Sequence, residues 1–294
     1  MSKKAQKNVG KIAFQGMKGA YSDLACRAVY PDMETIPCPT FEDAFNAVRE
    51  GGADLAMIPI DNTLAGRVAD VHHLMPKGDL FIVGEYFLPI RHHLLGIKGA
   101  KKESIKHVHS HVHAIPQCRK VIQRLGLKAH IHADTAGAAE EVAQNSDPAH
   151  AAIASELAAQ IYGLQIIEED VQDAQHNTTR FIILSPEPEI PKLDEKDVDT
   201  LSAILFEVRN IPAALYKSLG GFATNNLSLA KLESYIDPNF QGAQFYCEIE
   251  GHPESTAFRL ALEELGFYAK DVKFLGAWPA HGLRRTYRKN QSEF

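Results

Sequence analysis

The sequence predicts an α/β protein in two parts: a mainly parallel sheet with helices, then a smaller ferredoxin-like unit. Three observations favour this fold. Apolar strand patterns and helical patterns alternate from residue 10 to residue 184, as they do in parallel sheets. A charged, proline-containing segment at 185–199 follows, and it is too polar for a core. The strands and helices predicted after this segment follow the order βαββαβ, which is that of a ferredoxin-like sheet.

Composition and charge exclude several classes of function. The chain has 294 residues, of which 45% are hydrophobic and 23% are charged; this is an ordinary globular balance, and the length suggests two domains. A net charge of −6 provides no basic face for nucleic acid. The sequence contains no run of about 18 apolar residues, so no membrane span is predicted. No apolar core of a signal peptide follows the basic first residues. We expect a cytoplasmic protein that binds neither nucleic acid nor a membrane.

A turn with two glycines joins the first predicted strand, 11–15, to a helix that runs toward Val29. The turn reads Gly16-Met17-Lys18-Gly19-Ala20-Tyr21-Ser22. Glycines let a ligand approach the backbone, and the start of a helix offers free N–H groups to an anion. A nucleotide loop is a rival, but the third glycine of a dinucleotide fingerprint and the Gly-Lys-Ser/Thr ending of a P-loop are missing. A plain strand-to-helix turn also fits.

Polar residues follow the next predicted strand, where ligands often bind. A helix begins after Thr40, with Asp43 completing a weak capping box. Its buried stripe is Phe41, Ala44, Phe45 and Val48. Residues 53–60 are apolar except for Asp54, which is typical of a strand covered on both faces. Asp61-Asn62-Thr63 comes directly after this strand, and ligands bind beyond the carboxyl ends of strands in open α/β sheets; an Asx turn is the alternative.

Four histidines alternate along 107–113 and raise the question of a metal site. Side chains two residues apart on a strand are separated by about 6.5–7 Å, which is somewhat wide for one ion. No cysteine or carboxylate lies nearby in the sequence to complete a set. The four cysteines are scattered without Cys-x-x-Cys spacing, which indicates a reducing compartment and argues against structural zinc or disulfides. We therefore expect no metal.

The rest of the first part continues the alternation. Two strands, or one strand bent at Pro89, are predicted over 80–97, with a change of sheet or lobe. The strand at 107–111 ends at Ser110-His111, and a helix follows that buries Ile115, Cys118, Ile122 and Leu125. The remaining elements are a strand at 128–132, a helix capped by Asp134-Thr135 that runs to Gln144 and buries Ala136, Ala139, Val142 and Ala143, a strand at 151–154, a helix through Tyr162, and a strand from Leu164.

The stretch Asn177-Thr178-Thr179-Arg180-Phe181-Ile182-Ile183-Leu184 closes the first part. Its apolar half, 181–184, predicts a buried strand, so the polar half is expected at the entry to a rigid element. A hydroxyl and a guanidinium there suit an anion that also receives a hydrogen bond. A strand with a salt-bridged arginine and a capping threonine is the simpler interpretation.

The second part is predicted from amphipathic patterns. Its elements are a strand at 201–208, a helix that starts at Pro212 and ends near Gly220-Gly221, strands at 227–236 and 244–250, a helix from Pro253, and a strand at 272–278.

Five motifs in order carry a resemblance to a known family. They are Phe14-Gln15-Gly16 with Gly19-Ala20-Tyr21-Ser22, Pro59-Ile60-Asp61-Asn62-Thr63, Ser110-His111 with Gln117-Cys118, Asp134-Thr135-Ala136, and Asn177-Thr178-Thr179-Arg180-Phe181. The chain resembles prephenate dehydratase followed by an ACT regulatory domain, over about residues 10 to 280. The resemblance implies a two-lobed catalytic domain like a periplasmic binding protein at 9–185, a linker at 186–199 and a ferredoxin-like ACT domain at 200–280.

The same resemblance implies roles for individual residues. Thr179 matches the essential catalytic threonine. The substrate-binding residues would be Arg180, Asn62, Thr63, Ser110, His111, Gly19 and Ala20, and the effector-binding residues would be Ala213, Ala214, Leu215, Asn226, Glu233 and Ser234. Asp61 stands where a glutamate is usual. Pro212-Ala213-Ala214-Leu215 stands where Pro-Gly-Ala-Leu is usual, and Tyr235 stands where an arginine is usual.

The implied reaction converts prephenate to phenylpyruvate, water and carbon dioxide in phenylalanine biosynthesis. Aromatisation supplies the driving force, so no cofactor is expected. Thr179 would donate a hydrogen bond to the leaving hydroxyl, directly or through water or His111, and Arg180 would anchor the pyruvyl carboxylate. L-Phenylalanine would inhibit through the ACT domain, whose pairing suggests a homodimer or homotetramer. The alternatives are an arogenate dehydratase, a non-enzymatic amino-acid sensor and a metal-binding protein.

Overall fold

The computed structural model describes residues 9–72, 74–75, 79–193, 199–236 and 243–284. Internal contacts divide the chain into two units. The first consists of Met1–Leu74 and Tyr86–Phe181, and the second of Met75–Glu85 and Ile182–Phe294. Residues 194–198 of the predicted linker lie outside the described part of the chain, so the predicted domain bounds stay a prediction.

The elements follow one another in the predicted alternation. Up to the predicted linker they are β1 (Lys11–Gln15), α1 (Tyr21–Val29), β2 (Glu34–Cys38), α2 (Phe41–Arg49), β3 (Leu55–Asn62), β4 (Gly66–Arg67), α3 (Ala69–His72), β5 (Phe81–Pro89), β6 (His93–Gly96), β7 (His107–His111), α4 (Arg119–Leu125), β8 (Lys128–His132), α5 (Thr135–Asn145), β9 (His150–Ala154), α6 (Glu156–Tyr162), β10 (Gln165–Glu168) and β11 (Thr178–Ser185). Short 3₁₀ turns cover Lys102–Ser104 and Ile115–Cys118.

One lobe of the first unit is built on parallel strands in the order β3-β1-β2, with the short β4 antiparallel to β3. The capping box predicted at the start of α2 is present, since Thr40 and Asp43 each bond the other's backbone N–H. Strand β2 was not predicted from the sequence. It contains Pro37, and proline within a strand is confined to edges and bulges. In the structure β2 lies at the edge of its sheet.

The other lobe contains a five-stranded sheet in the order β10-β6-β9-β7-β8. Strands β9, β7 and β8 are parallel, whereas β6 pairs antiparallel with both β9 and β10. The expectation of a mainly parallel sheet is therefore wrong for half of this lobe. Two strands over 80–97, which was one of the two predicted arrangements, are confirmed, because Pro89 ends β5 and β6 begins at His93.

The helix after β7 turns most of its predicted face to the core. Cys118 is fully buried, and Ile122 and Leu125 are partly buried and pack against the same apolar cluster. Ala114 and Val121 are also buried, although they were not predicted to be, and Ile115 in the initial 3₁₀ turn is only partly buried. Ala143, predicted to face inward from α5, is likewise only partly buried.

The second unit has the predicted order βαββαβ. Its elements are β12 (Thr200–Val208), α7 (Ala214–Thr224), β13 (Ser228–Ile236), β14 (Ala243–Glu250), α8 (Thr256–Tyr268) and β15 (Ala269–Pro279). The strands pair antiparallel in the order β13-β14-β12-β15, and α7 and α8 pack on an apolar core that includes Phe206, Phe222 and Phe258.

Two glycines of the second unit have packing roles. Helix α7 does not end at Gly220-Gly221, as predicted, but continues to Thr224. A Cβ at Gly221 would lie 2.9 Å from the Ala261 carbonyl oxygen, so this glycine allows α7 and α8 to approach closely. Gly276 has φ +136°, and a Cβ there would lie 2.2 Å from the carbonyl oxygen of Ile82, its partner in the β15–β5 pairing.

No helix in the described residues is long and apolar enough to cross a membrane.

Candidate active site

A cavity of about 250 Å³ lies between the two lobes of the first unit. One wall is β11, which presents Thr179 and Phe181, together with Asn177 directly before the strand. These residues are two apart and so share one face of the strand. The end of β3 contributes Asn62 and the start of α1 contributes Tyr21. The predicted positions after β3 and after the glycine turn thus meet the 177–181 stretch at one place.

The other lobe supplies His111 at the end of β7, Gln117, and Thr135 at the start of α5. An adjoining cavity of about 420 Å³ shares His111 and Thr135 with the first and is also lined by Ala20. The predicted substrate-binding residues Asn62, His111 and Ala20 therefore all reach one of these two cavities.

The hydroxyl of Thr179 is held by a neighbouring amide. Asn62 Nδ2 donates hydrogen bonds to Thr179 Oγ1 at 2.9 Å and to Asn177 Oδ1 at 2.8 Å. Asn62 Oδ1 accepts from the backbone N–H groups of Leu64 and Ala65, which fixes the orientation of the amide. Because Thr179 Oγ1 already accepts a hydrogen bond, its own proton can be donated toward the cavity.

A hydrogen-bond network continues from Asn177 to a buried histidine. Asn177 Nδ2 donates to Gln117 Oε1 at 2.6 Å, and His92 Nε2 lies 3.3 Å from the same oxygen. The Tyr21 hydroxyl lies 2.7 Å from His92 Nδ1. Burial lowers the pKa of His92 to about 4, so the ring is neutral at neutral pH. With Nε2 of His92 donating to Gln117, the one proton of the Tyr21 hydroxyl is shared between His92 Nδ1 and the Arg91 carbonyl oxygen, which lies 2.8 Å from it. The network holds Asn177 in place.

His111 is the second proton-carrying group at the cavity. Its Nδ1 accepts a hydrogen bond from the backbone N–H of His113 at 3.3 Å. Burial and the neighbouring His113 lower the pKa of His111. The neutral ring therefore carries its proton on Nε2, where it can act as a donor or in a relay.

The described lining of the 250 Å³ cavity includes histidines but no lysine, arginine, aspartate or glutamate. Two helices begin at this cavity, α1 with Tyr21 and Ser22, and α5 with Thr135. The first N–H groups of a helix have no partner within it, and the helix dipole favours an anion there. Asp134 already caps α5 by accepting from the Gly137 N–H at 2.6 Å, whereas the N-cap of α1 makes no side-chain hydrogen bond. The start of α1 is therefore better placed than that of α5 to bind a carboxylate without a cationic side chain.

Arg180 and Ser110 do not line either cavity. Arg180 is buried on the opposite face of β11 from Thr179, because neighbouring residues of a strand alternate. Its Nη1 lies 3.5 Å from Asp61 Oδ2, and its guanidinium lies 5.9 Å from the centre of the Phe87 ring. Ser110 is fully buried and donates to the Ile153 carbonyl oxygen at 2.6 Å. The expectation that Thr179 and Arg180 jointly grip one ligand is not supported by this arrangement.

Thr63 and Gly19 also have structural partners. Thr63 Oγ1 donates to the carbonyl oxygen of His176 and accepts from the N–H of Thr178, so it ties the end of β3 to β11. Gly19 was expected to approach a ligand. Instead it approaches α6, since a Cβ at Gly19 would lie 2.9 Å from Ala158 Cα.

The predicted effector residues occupy three separate places in the second unit. Ala213 is the N-cap of α7, with Ala214 and Leu215 beginning the helix. Asn226 lines a cavity of about 340 Å³ that none of the others lines. Glu233 and Ser234 lie on β13. Within one chain, the described structure does not gather these residues into a single pocket.

Comparison with known proteins identifies the family. Residues 12–189 match the sequence profile of the family described as prephenate dehydratase. The chain belongs to the prephenate dehydratase family.

Relatives of the family resemble this chain over most of its length. The chain is 46% identical over 275 residues to the bifunctional N-acyl-homoserine lactone acylase/prephenate dehydratase of Komagataeibacter europaeus, covering 93% of this chain and 97% of that protein. It is 38% identical to arogenate dehydratase/prephenate dehydratase 1 of Arabidopsis thaliana, covering 93% of this chain and 73% of the relative.

A solved structure confirms the fold class. The prephenate dehydratase of Arthrobacter aurescens, determined in complex with L-phenylalanine, superposes with a TM-score of 0.83 at 26% identity, covering 96% of this chain and 98% of that one. The two-lobed α/β domain like a periplasmic binding protein, followed by a ferredoxin-like unit, is thus confirmed as the fold class.

Four residues that line the cavity belong to the sequence motifs but were not among the predicted functional residues. Tyr21, Gln117, Thr135 and Asn177 each line the cavity, and each stands within one of the five sequence motifs. Their position in those motifs was the available signal. His92 stands in none of them, and only its buried contacts with Tyr21 and Gln117 place it in the site.

Proposed function

We propose that this chain converts prephenate to phenylpyruvate, water and carbon dioxide. The observation that carries the proposal is the Thr179 hydroxyl, which is held by Asn62 at the wall of a cavity in a chain of the prephenate dehydratase family. In this proposal the Thr179 hydroxyl donates its proton to the departing ring hydroxyl of the substrate.

In the proposed reaction, the C–O bond to the ring hydroxyl breaks and the oxygen leaves as water with an added proton. The bond to the ring carboxylate breaks as carbon dioxide leaves, and its electron pair completes the aromatic ring. Thr179 and the neutral Nε2–H of His111 stabilise the departing oxygen by hydrogen bonding, and the added proton comes from solvent through a bound water. Such assistance contributes about 10²–10⁴-fold in rate.

The substrate carries two carboxylates, and its anchor is proposed to differ from the sequence-based expectation. The N-terminus of α1 lies at the cavity and has no side-chain cap, and N–H groups and the helix dipole there suit a carboxylate. Arg180 is proposed to act indirectly, by holding β11 against Asp61 and Phe87. Tight pairing of a cation with the departing carboxylate would stabilise the ground state and oppose decarboxylation.

The test is formation of phenylpyruvate from prephenate by the purified chain. Thr179→Val should lower kcat by about 10²-fold or more. Thr178→Val is a matched control, because it makes the same replacement on the opposite face of β11 and should leave kcat within about twofold of the unmodified chain. A Thr179→Val variant with near-normal kcat would contradict the proposed role, and a chain that binds prephenate without releasing carbon dioxide would be a sensor.

Two other substrates are assayed beside prephenate because relatives are named for them. Several plant relatives are arogenate dehydratases, so kcat/KM for arogenate and prephenate is compared. The Komagataeibacter relative is also named an N-acyl-homoserine lactone acylase. The apolar lining from Pro59, Val68 and Phe181 could accept part of an acyl chain, and release of homoserine lactone tests this activity.

The second unit is proposed to be an ACT domain through which L-phenylalanine inhibits the enzyme. Its βαββαβ order and the L-phenylalanine complex of the Arthrobacter structure support this. Because the predicted effector residues are spread over one chain, we propose that they form the effector site where two copies pair. Tyr216 on α7 and Phe267 on α8 are 82% and 74% exposed, which provides apolar surface for contacts between copies.

Two measurements test this regulation. Light scattering should give the mass of a homodimer or homotetramer, and L-phenylalanine should lower the rate of phenylpyruvate formation. Glu233→Gln, a change in the predicted effector site, should weaken that inhibition. An equal response to L-phenylalanine in Glu233→Gln would remove this residue from the effector site.

A further inference from the structure

Five histidines form a cluster on one face of the five-stranded sheet (β10-β6-β9-β7-β8) in the second lobe of the first unit, outside both cavities described above. His107 and His109 lie on β7, His130 and His132 on β8, and His150 at the start of β9. In the parallel register His109 lies beside His130, and His107 lies beside His150. Registered residues of parallel strands point to the same face, so the pairing brings together rings from three strands.

The rings of this histidine cluster are in direct contact. His109 Nδ1 lies 3.0 Å from His132 Nε2, and His109 Nε2 lies 2.7 Å from His150 Nδ1. His107 Nδ1 lies 3.0 Å from His130 Nε2. The His109 and His130 rings stack with their centres 4.7 Å apart. So many imidazoles at these distances would repel one another if they were protonated.

The short distances between these rings place several imidazole nitrogens around one point. His109 lies within 3.0 Å of a nitrogen of His132 and within 2.7 Å of a nitrogen of His150. A neutral imidazole has an unshared pair of electrons and is the form that binds metal ions.

A carboxylate from α5 completes the set. Glu141 Oε2 lies 3.3 Å from His132 Nδ1, and one ligating atom from each of His109, His132 and Glu141 lies within 4.8 Å of the other two. Two imidazoles and one carboxylate are a known three-residue ligand set for zinc, with a further position left for water. Imidazole also suits copper and nickel.

We propose that His109, His132 and Glu141 bind a divalent transition-metal ion, with zinc as the metal that their ligand types favour. His150 then holds the second nitrogen of His109, which is the usual role of an outer partner of a metal-bound histidine. The bound ion would join β7, β8 and α5. Because α5 begins at Thr135 in the cavity wall, the ion is placed to stabilise the second lobe from outside the site of the chemistry.

Spacing along a single strand does not predict this metal site. Alternate residues of a strand are about 6.5–7 Å apart, but neighbouring strands are only about 4.8 Å apart. The ligand pair His109 and His132 uses the shorter distance across strands, and Glu141 comes from the helix that follows β8. The structure therefore supplies the carboxylate that the local sequence lacks.

The experiment uses the full chain without an affinity tag that contains histidine. Metal is removed with a chelator, and Zn²⁺ is titrated in competition with a chromogenic chelator. We expect one zinc per chain and a rise in Tm on adding zinc. Glu141→Gln and His132→Gln should each weaken zinc binding by at least about tenfold, and both side chains are partly exposed, so these variants are expected to fold.

Glu140→Gln is the matched control, because it makes the same change one residue away on α5, outside the three-ligand set. It should bind zinc like the unmodified chain. The proposal is overturned if the chain takes up no zinc, or if Glu141→Gln and His132→Gln bind it as tightly as Glu140→Gln. Circular dichroism of each variant before titration separates loss of ligation from loss of fold.

Discussion

Replacing Asn62 by aspartate tests whether an amide holds the Thr179 hydroxyl ready to donate. The two side chains have the same shape. In Asn62→Asp one oxygen can still accept from the N–H groups of Leu64 and Ala65, as Asn62 Oδ1 does now. The other atom changes from a donor to an acceptor, and it faces Thr179 Oγ1 at 2.9 Å and Asn177 Oδ1 at 2.8 Å.

The expected loss of activity follows from this reversal. With a carboxylate at position 62, Thr179 would donate its proton to that carboxylate and not to the substrate. The lost assistance is about 10²-fold in kcat, or about 2.7 kcal/mol of transition-state stabilisation. Asn177 cannot rotate to compensate without losing its 2.6 Å hydrogen bond to Gln117. One buried acceptor is then left facing another, at a cost of about 1–3 kcal/mol in stability.

The assay is steady-state formation of phenylpyruvate from prephenate, with urea unfolding of the same preparations. Asn46→Asp is the control, because Asn46 Oδ1 only accepts a hydrogen bond, from Arg49 at 2.9 Å, and a carboxylate can do the same. The double variant Asn62→Asp/Thr179→Val should be no slower than Thr179→Val alone, since both changes remove one function. A kcat for Asn62→Asp within about twofold of the unmodified chain would refute the reasoning.

Three further predictions concern other parts of the chain. Arg180→Lys should lower the unfolding free energy by about 1–2 kcal/mol, because a lysine replaces a buried guanidinium beside Asp61. KM for prephenate should change less than about threefold. A raised KM at unchanged stability would instead indicate that the guanidinium contacts the substrate. Ala213 has φ +58°, a conformation that costs a residue with a Cβ about 1–2 kcal/mol, so Ala213→Gly should raise the urea midpoint, and a lower midpoint would contradict this assignment of strain. Burial lowers the pKa of His92 from 6.5 to about 4, so the unfolded chain takes up a proton near pH 6.5 that the folded chain takes up only near pH 4. The unfolding free energy should therefore be greatest above pH 6.5 and should fall by about 3 kcal/mol, from this side chain, as the pH drops from 6.5 to 4. His92→Gln should flatten this dependence in urea unfolding measured from pH 4 to pH 7. An unchanged slope would show that His92 is not its source.

Local signals predicted most of the secondary structure because their causes lie within a few residues. The capping box of Thr40 and Asp43 and the N-cap of Asp134 are made within one turn of their helices. The apolar pattern of 53–60 anticipated β3, although the strand extends to Asn62. The predictions failed where a distant neighbour decides the outcome. Gly221 does not end α7, because its lack of a side chain serves packing against Ala261 of α8.

The candidate site shows the same division. Motif positions indicated that Asn62, His111 and Thr179 act together, and each lines the cavity. The motif alone did not predict that the Arg180 side chain lies on the face of β11 opposite to Thr179, since this depends on where the strand begins and on what packs against each of its faces.

The order of residues along this chain was enough to predict alternating strands and helices, a βαββαβ unit after a polar segment, and the family to which the chain belongs. Which side chains meet was set by the pairing of strands and the packing of helices. His109 and His132 are 23 positions apart, yet they touch across two neighbouring strands, and Asn62 reaches Thr179 across 117 positions. Contacts of this kind depend on distances in space of a few ångströms, and no local pattern in a sequence encodes them.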